Sequence, residues 1–125
     1  MIVLDASALM ALLLSEPGKD VVAEHVPEAV ISAVNLAEVL ARMARERIPS
    51  RILIPKLEDL GLTVVDFDQP QAVIVGDIRE RARAHGIGLA DCCCIALAMN
   101  RALPVLTADR AWPGLGFDLD VRLIR

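Results

Sequence analysis

Four acidic residues have the types and spacing for chemistry on a charged substrate: Asp5, Glu38, Asp91 and Asp109. Asp5 closes the apolar run Met1–Leu4, and Asp109 follows the apolar run Pro104–Thr107 after one intervening residue. Glu38 and Asp91 fall in segments of helical patterning. Carboxylates gathered in one pocket repel one another unless a divalent cation neutralises them. Hard oxygen ligands of this kind suit Mg2+ or Mn2+, which keep waters and take phosphate oxygens as further ligands. The set therefore points to phosphoester chemistry, provided the fold brings the four together. Each acid also has a plainer structural reading. Asp5 and Asp91 stand where helix N-caps belong, and Asp109 sits in a turn. Glu38 has Arg42 four residues on, the spacing of a surface ion pair.

The elements that must hold these residues follow from apolar periodicity. Met1–Leu4 reads as a buried strand, followed by a helix from about Ser7 that ends before Glu16-Pro17-Gly18. A short helix is expected over Lys19–His25 and a strand over Ala29–Ser32. The next helix runs from about Ala33 to Arg47, with Leu36, Val39, Leu40 and Met43 as its apolar stripe. Asn35, Glu38, Arg42 and Arg45 lie on another side of it. Pro49 stops this helix, and another from about Ser50 ends at the C-cap Gly61. Strands are expected over Leu62–Phe67, Pro104–Thr107 and, at an edge, Val121–Ile124. Two helices, from Asp68 to about His85 and from near Asp91 to about Arg101, separate the first two. Strands alternating with helices predict a single α/β domain over residues 1–125: a three-layer α/β/α arrangement around a mainly parallel sheet of four or five strands. In such sheets ligands bind beyond the carboxyl ends of the strands, where Asp5 and Asp109 are expected.

Composition narrows the function classes. The chain has 125 residues and a net charge of −4, so it is no polybasic nucleic-acid binder as a whole. Eight of its thirteen bases nevertheless fall in two helical stretches, Arg42 to Lys56 and Arg79 to Arg83, which gives local surfaces for phosphates. Arg42 and Arg45, with Arg110 beside the last acid, are candidate phosphate contacts; solvated helix faces explain these bases equally well. The longest apolar stretch, Ala6 to Leu14, is far short of the roughly 18 residues that cross a membrane. Met1–Leu4 lacks the basic start of a signal peptide, so a cytoplasmic protein is expected. A 55% hydrophobic composition is high for a monomer and predicts a subunit or partner interface.

Other residues carry less. Cys92, Cys93 and Cys94 are neighbours on a helix and diverge too far for a zinc site, so they read as small apolar residues. His25 and His85 each end a helix. Trp112 reads as a core plug beside the last acid, and with only three aromatic rings base stacking cannot dominate binding. No Gly-rich phosphate loop occurs. A phosphoaspartyl hydrolase is disfavoured, since Asp5-Ala6-Ser7 has no second Asp two residues on.

Four segments, in order and spanning nearly the whole chain, resemble a known family. They are Ile2-Val3-Leu4-Asp5-Ala6-Ser7-Ala8, Asn35-Leu36-Ala37-Glu38-Val39, Gly88-Leu89-Ala90-Asp91, and Val105 through Trp112. Together they resemble PIN-domain ribonucleases, specifically VapC-type toxins of toxin–antitoxin pairs. The resemblance implies a Mg2+-dependent endoribonuclease, with Mn2+ able to substitute, that cleaves RNA by metal-activated water attack on a phosphodiester. By the same resemblance Asp5, Glu38, Asp91 and Asp109 are both catalytic residues and metal ligands. Ser7 and Thr107, each two positions from an acid, are placed to orient a carboxylate or water, or simply to cap a helix or strand end. The implied partners are an RNA substrate, a small VapB-like antitoxin and a second copy in a homodimer. Ala90 and Cys92 depart from the Gly and basic residue that often flank the third acid, which removes one cation from the site. A PIN-like module that binds RNA or protein without cutting, and a DNA-directed nuclease of related fold, are the alternatives.

Overall fold

A sheet of strands only three or four residues long needs cover on its faces to persist, and the central strands β1, β2 and β4 of this one are fully buried. The computed structural model describes residues 1–125. In chain order it contains β1 (Ile2–Leu4), α1 (Ala6–Leu13), α2 (Lys19–His25), β2 (Ala29–Ser32), α3 (Ala33–Arg45) and α4 (Ser50–Asp59). There follow β3 (Thr63–Val65), α5 (Gln69–Ala84), α6 (Leu89–Arg101), β4 (Val105–Thr107) and β5 (Val121–Leu123). Each expected strand and helix is present, with ends differing by a few residues. Two 3-10 turns, Val26–Glu28 and Trp112–Leu115, were not expected.

The five strands lie in the order β3-β2-β1-β4-β5, and every pairing is parallel. Alternation along β1 assigns the two faces. Ile2 and Leu4 join a core with α1, α2, α3 and α4, through Leu9, Val22, Val39 and Leu57 among others. Val3 points the other way, into a second core with α5 and α6 that includes Val75, Ile78, Ile95 and Trp112. Helices thus cover both faces, the three-layer arrangement expected. The α6 helix is buried along Cys92–Ala98 because it packs against α5, α3 and the sheet. An all-round apolar helix such as this needs cover on every side. All three cysteines are free and buried, in keeping with an apolar role.

Local signals start and stop these elements. Ser32 caps α3 by accepting from the Val34 amide at 3.2 Å, and Asp68 caps α5 by accepting from Gln71 at 3.1 Å. Gly61, at φ +90°, ends α4 in the left-handed region open to glycine. Gly18, at φ +94°, starts α2 against the C-terminal segment, where an added Cβ would lie 2.6 Å from the Ile124 carbonyl oxygen. No helix is long and apolar enough to cross a membrane.

The strand order matters for function. The chain leaves β1 toward β2 and β3 on one side, then crosses through α5 and α6 to β4 on the other side of β1. The carboxyl ends of β1 and β4 therefore flank the switch point, where a crevice forms in open parallel sheets.

Candidate active site

Asp5 continues β1 by one residue, and its amide donates to the Leu106 carbonyl of β4 at 2.9 Å. That backbone bond fixes the carboxylate at the switch point. Asp5 occupies the N-cap position of α1 yet makes no side-chain capping bond. Its Oδ2 instead accepts from Ser7 Oγ at 2.7 Å and from Thr107 Oγ1 at 2.9 Å. Its Oδ1 is buried and has no partner. The capping reading of Asp5 is therefore replaced by a carboxylate held on one oxygen by two hydroxyls, with the other left over.

The two hydroxyls are themselves fixed. The Ala108 amide donates to Ser7 Oγ and the Asp109 amide donates to Thr107 Oγ1, each at 3.0 Å. Each hydroxyl accepts one backbone N–H and spends its own hydrogen on Asp5, which is all its chemistry requires. Asp109 lies two residues beyond β4, with Oδ1 accepting from the Ala111 amide at 2.9 Å. This is the turn geometry expected of it, and its second oxygen makes no hydrogen bond within the protein.

Asp91 is the third residue of α6, and its Oδ2 accepts from the Gly88 amide at 3.2 Å. It therefore caps its helix, as the plainer reading had it, and retains Oδ1. Glu38 is exposed on α3. Its expected pairing with Arg42 is corrected: Arg42 pairs with Glu46, one turn further on, and Glu38 Oε2 accepts from Asn35 Nδ2 at 2.9 Å. A carboxylate prefers the fixed amide three residues before it to a mobile guanidinium that has an exposed partner of its own. All four acids thus have one oxygen held by the protein, by two donors in Asp5 and by one in the others, and the second oxygen unclaimed.

Electrostatics ties three of the four together. Burial pushes the Asp5 carboxyl up to about 6; the Ser7 and Thr107 hydroxyls oppose that rise, and the nearby Asp91 charge adds to it. Asp91 is also raised, first by burial and then by the charge of Asp109, against the Gly88 amide. Raised carboxyls beside one another mark a place that favours positive charge. No three acidic, His or Cys side chains close on one point as a ready cation cage. Glu38 is linked to the others through Asn35, which also donates to the Ala90 carbonyl at 3.0 Å, just before Asp91.

Asn35 is the residue that sequence reasoning missed. Spacing along α3 predicts it on the polar side, but it is fully buried and its Oδ1 has no partner. The available signal was its position three residues before Glu38, on the same helical face. Arg45 and Arg110 are exposed, and Arg42 lies one turn beyond Glu38. Burial pushes the Cys94 thiol well up, and burial raises Cys92 and Cys93 too, so none is a ready thiolate.

The chain is similar to several solved structures over nearly its full length. A toxin–antitoxin complex from Klebsiella pneumoniae aligns with a TM-score of 0.81 at 17% identity, covering 100% of this chain and 98% of that one. FitAcB from Neisseria gonorrhoeae aligns with a TM-score of 0.67 at 28% identity, covering 97% and 96%. The sarcin–ricin-loop-cleaving toxin VapC20 of Mycobacterium tuberculosis aligns with a TM-score of 0.70 at 15% identity, covering 94% and 96%. No curated protein sequence matches. The resemblance to PIN-domain proteins carried by the motifs is borne out at the level of the family. A family model described as the PIN domain matches residues 2–117, taking in four of the five strands and all four acids, and the chain belongs to the PIN domain family.

Proposed function

We propose that this protein is a divalent-metal-dependent endoribonuclease acting as the toxin of a toxin–antitoxin pair. The observation that carries this reading is Asp5: a buried carboxylate whose Oδ2 is saturated by two hydroxyls while Oδ1 has no protein partner. A buried, unpaired charged oxygen is costly, and a cation is the partner that removes the cost. The unclaimed oxygens of Asp91, Asp109 and Glu38 supply further hard ligands, a donor set that fits Mg2+ or Mn2+. When bound, the cation supplies charge neutralisation at the scissile phosphate and activation of a water nucleophile.

The chain's own contribution is orientation. Ser7 and Thr107 hold Asp5 rigidly through backbone amides of the β4 end, so the carboxylate does not rotate away when the site is empty. Gly88 and Ala111 do the same for Asp91 and Asp109. Arg42, Arg45 and Arg110 serve as phosphate contacts for RNA, giving binding that weakens with salt. A VapB-like antitoxin is the proposed inhibitor, in line with the antitoxin complexes among the similar structures. Homodimerisation is proposed as the use of exposed apolar side chains such as Ile52, Leu60 and Val73.

The test is cleavage of structured RNA by the purified chain with Mg2+ or Mn2+, with EDTA and with Asp5→Asn and Asp91→Asn variants. Cleavage is expected with either metal and is lost with EDTA and in both variants. Equal cleavage of single-stranded DNA would make it a nuclease without RNA selectivity. RNA binding indifferent to metal and to the four acids would make it a non-cutting module.

A further inference from the structure

Asn35 spends both hydrogens of its amide nitrogen on two acceptors, Glu38 Oε2 at 2.9 Å and the Ala90 carbonyl at 3.0 Å. Both partners are acceptors only, so the nitrogen must face them and the orientation of the amide is settled. Its Oδ1 is then left buried and unpartnered. A side chain kept only for packing would avoid that loss, since an apolar residue of the same shape strands no oxygen. The value of Asn35 must lie in its two donors.

One donor stays within α3, on Glu38, and the other joins α3 to α6, an element of a different layer. The α3 helix contributes its apolar stripe to the core on one face of the sheet, and α6 contributes to the core on the other. Asn35 bonds them where α6 begins, one residue before Asp91. Glu38 is exposed and makes no other hydrogen bond or ion pair, so this amide is the one protein group restraining its carboxylate.

We propose that Asn35 is a positioning residue for the cation site read above, on which this assignment rests: its amide pins Glu38 to the first turn of α6 and so presents the Glu38 carboxylate beside Asp91. Without the amide, an exposed glutamate samples many rotamers and loses entropy when it binds a cation.

Titration calorimetry of Mn2+ into the purified full-length chain tests this without a cleavage assay. Asn35→Leu keeps the branched shape of the side chain, at a larger volume, and removes the donors. It is expected to weaken Mn2+ binding by about 10-fold or more, the range seen for groups that orient metal ligands. The decisive readout is a cycle with Glu38→Gln. If Asn35 acts through Glu38, the double variant binds Mn2+ no more weakly than Glu38→Gln alone, whereas a general structural role makes the two losses multiply. Unchanged binding in Asn35→Leu beside weakened binding in Glu38→Gln overturns the assignment alone. Unchanged binding in Glu38→Gln removes Glu38 from the metal site and overturns the assignment, while no Mn2+ binding by the parent chain overturns the metal-site reading and the assignment with it. Should Asn35→Leu fail to fold, Asn35→Ser, smaller and with a single donor, enters the same cycle under the same criteria.

Discussion

Thr107 Oγ1 donates to Asp5 Oδ2 at 2.9 Å, although 102 positions separate the two residues in the chain. The bond crosses the switch point between the central strands β1 and β4, and it decides which oxygen of Asp5 remains available. Thr107→Val keeps the shape of this fully buried side chain while removing the hydroxyl. It also strands the Asp109 amide that the hydroxyl accepts. The variant is expected to fold, with a loss of about 1–3 kcal/mol from unpaired buried groups. Its metal-dependent cleavage should fall about 10- to 100-fold. Urea melts and initial rates measure the two effects separately, and unchanged cleavage would remove Thr107 from the machinery.

Asp5 should impose a pH dependence on the stability of the metal-free protein. Burial raises its carboxyl from 3.8 to about 6. Below the lower value both folded and unfolded chains carry the proton. Between the two, the unfolded chain releases it while the folded chain keeps it, so stability falls as pH rises through that window. Above about pH 6 the full cost, on the order of 3 kcal/mol, is present. Asp5→Asn does not titrate, so in EDTA its stability relative to the parent should grow as pH rises from 4 to 7. A pH-independent difference between the two melts would contradict the burial argument.

Divalent cations should reverse that cost. At 100 times the dissociation constant, a ligand bound only to the folded state adds about 2.7 kcal/mol. For a chain of this size that is a rise of roughly 8–15 °C in Tm. The rise with Mn2+ is expected to be larger at pH 7.5 than at pH 5, because the cation needs the ionised form of Asp5. Thermal melts of parent and Asp91→Asn at both pH values check it; equal shifts in both proteins would place the cation elsewhere.

Trp112 anchors the segment that follows the last acid. It is 1% exposed in the core formed with α5 and α6, and its Nε1 has no partner. Trp112→Ala should cost about 3–5 kcal/mol through the cavity it leaves. Trp112→Phe removes the orphaned donor along with part of the ring, and it should cost clearly less. As the only tryptophan, Trp112 should show blue-shifted emission in the native state that moves red on unfolding.

Gly18 ties the start of α2 to the C-terminal segment. Its φ of +94° disfavours any side chain, and a Cβ there meets Ile124 backbone and side chain at 2.6–2.9 Å. Gly18→Ala is expected to destabilise by about 1–3 kcal/mol, the usual size of such strain. A control, Gly76→Ala, lies within α5 where a Cβ meets nothing within 4 Å, and it should stabilise by up to about 1 kcal/mol. Chemical denaturation of the pair resolves the difference in sign.

The elements and the fold class are legible in the chain alone, because those depend on local periodicity. Apolar runs at Ile2–Leu4 and Val105–Thr107, Gly61 after α4 and Asp68 before α5 are each legible within a few residues of chain. The positions of Asp5 and Asp109 at strand ends were legible for the same reason. Which strands neighbour one another comes from packing at long range, and with it the network that β1 and β4 make of Ser7, Thr107 and Asp5. Such packing also decided the partner of Glu38. Spacing along α3 offered Arg42 at four residues and Asn35 at three, and nothing local chose between them. The choice came from α6: packing it against the sheet and α3 buries Asn35 beside the Ala90 carbonyl, and a buried amide must spend its hydrogens on whatever acceptors the fold supplies.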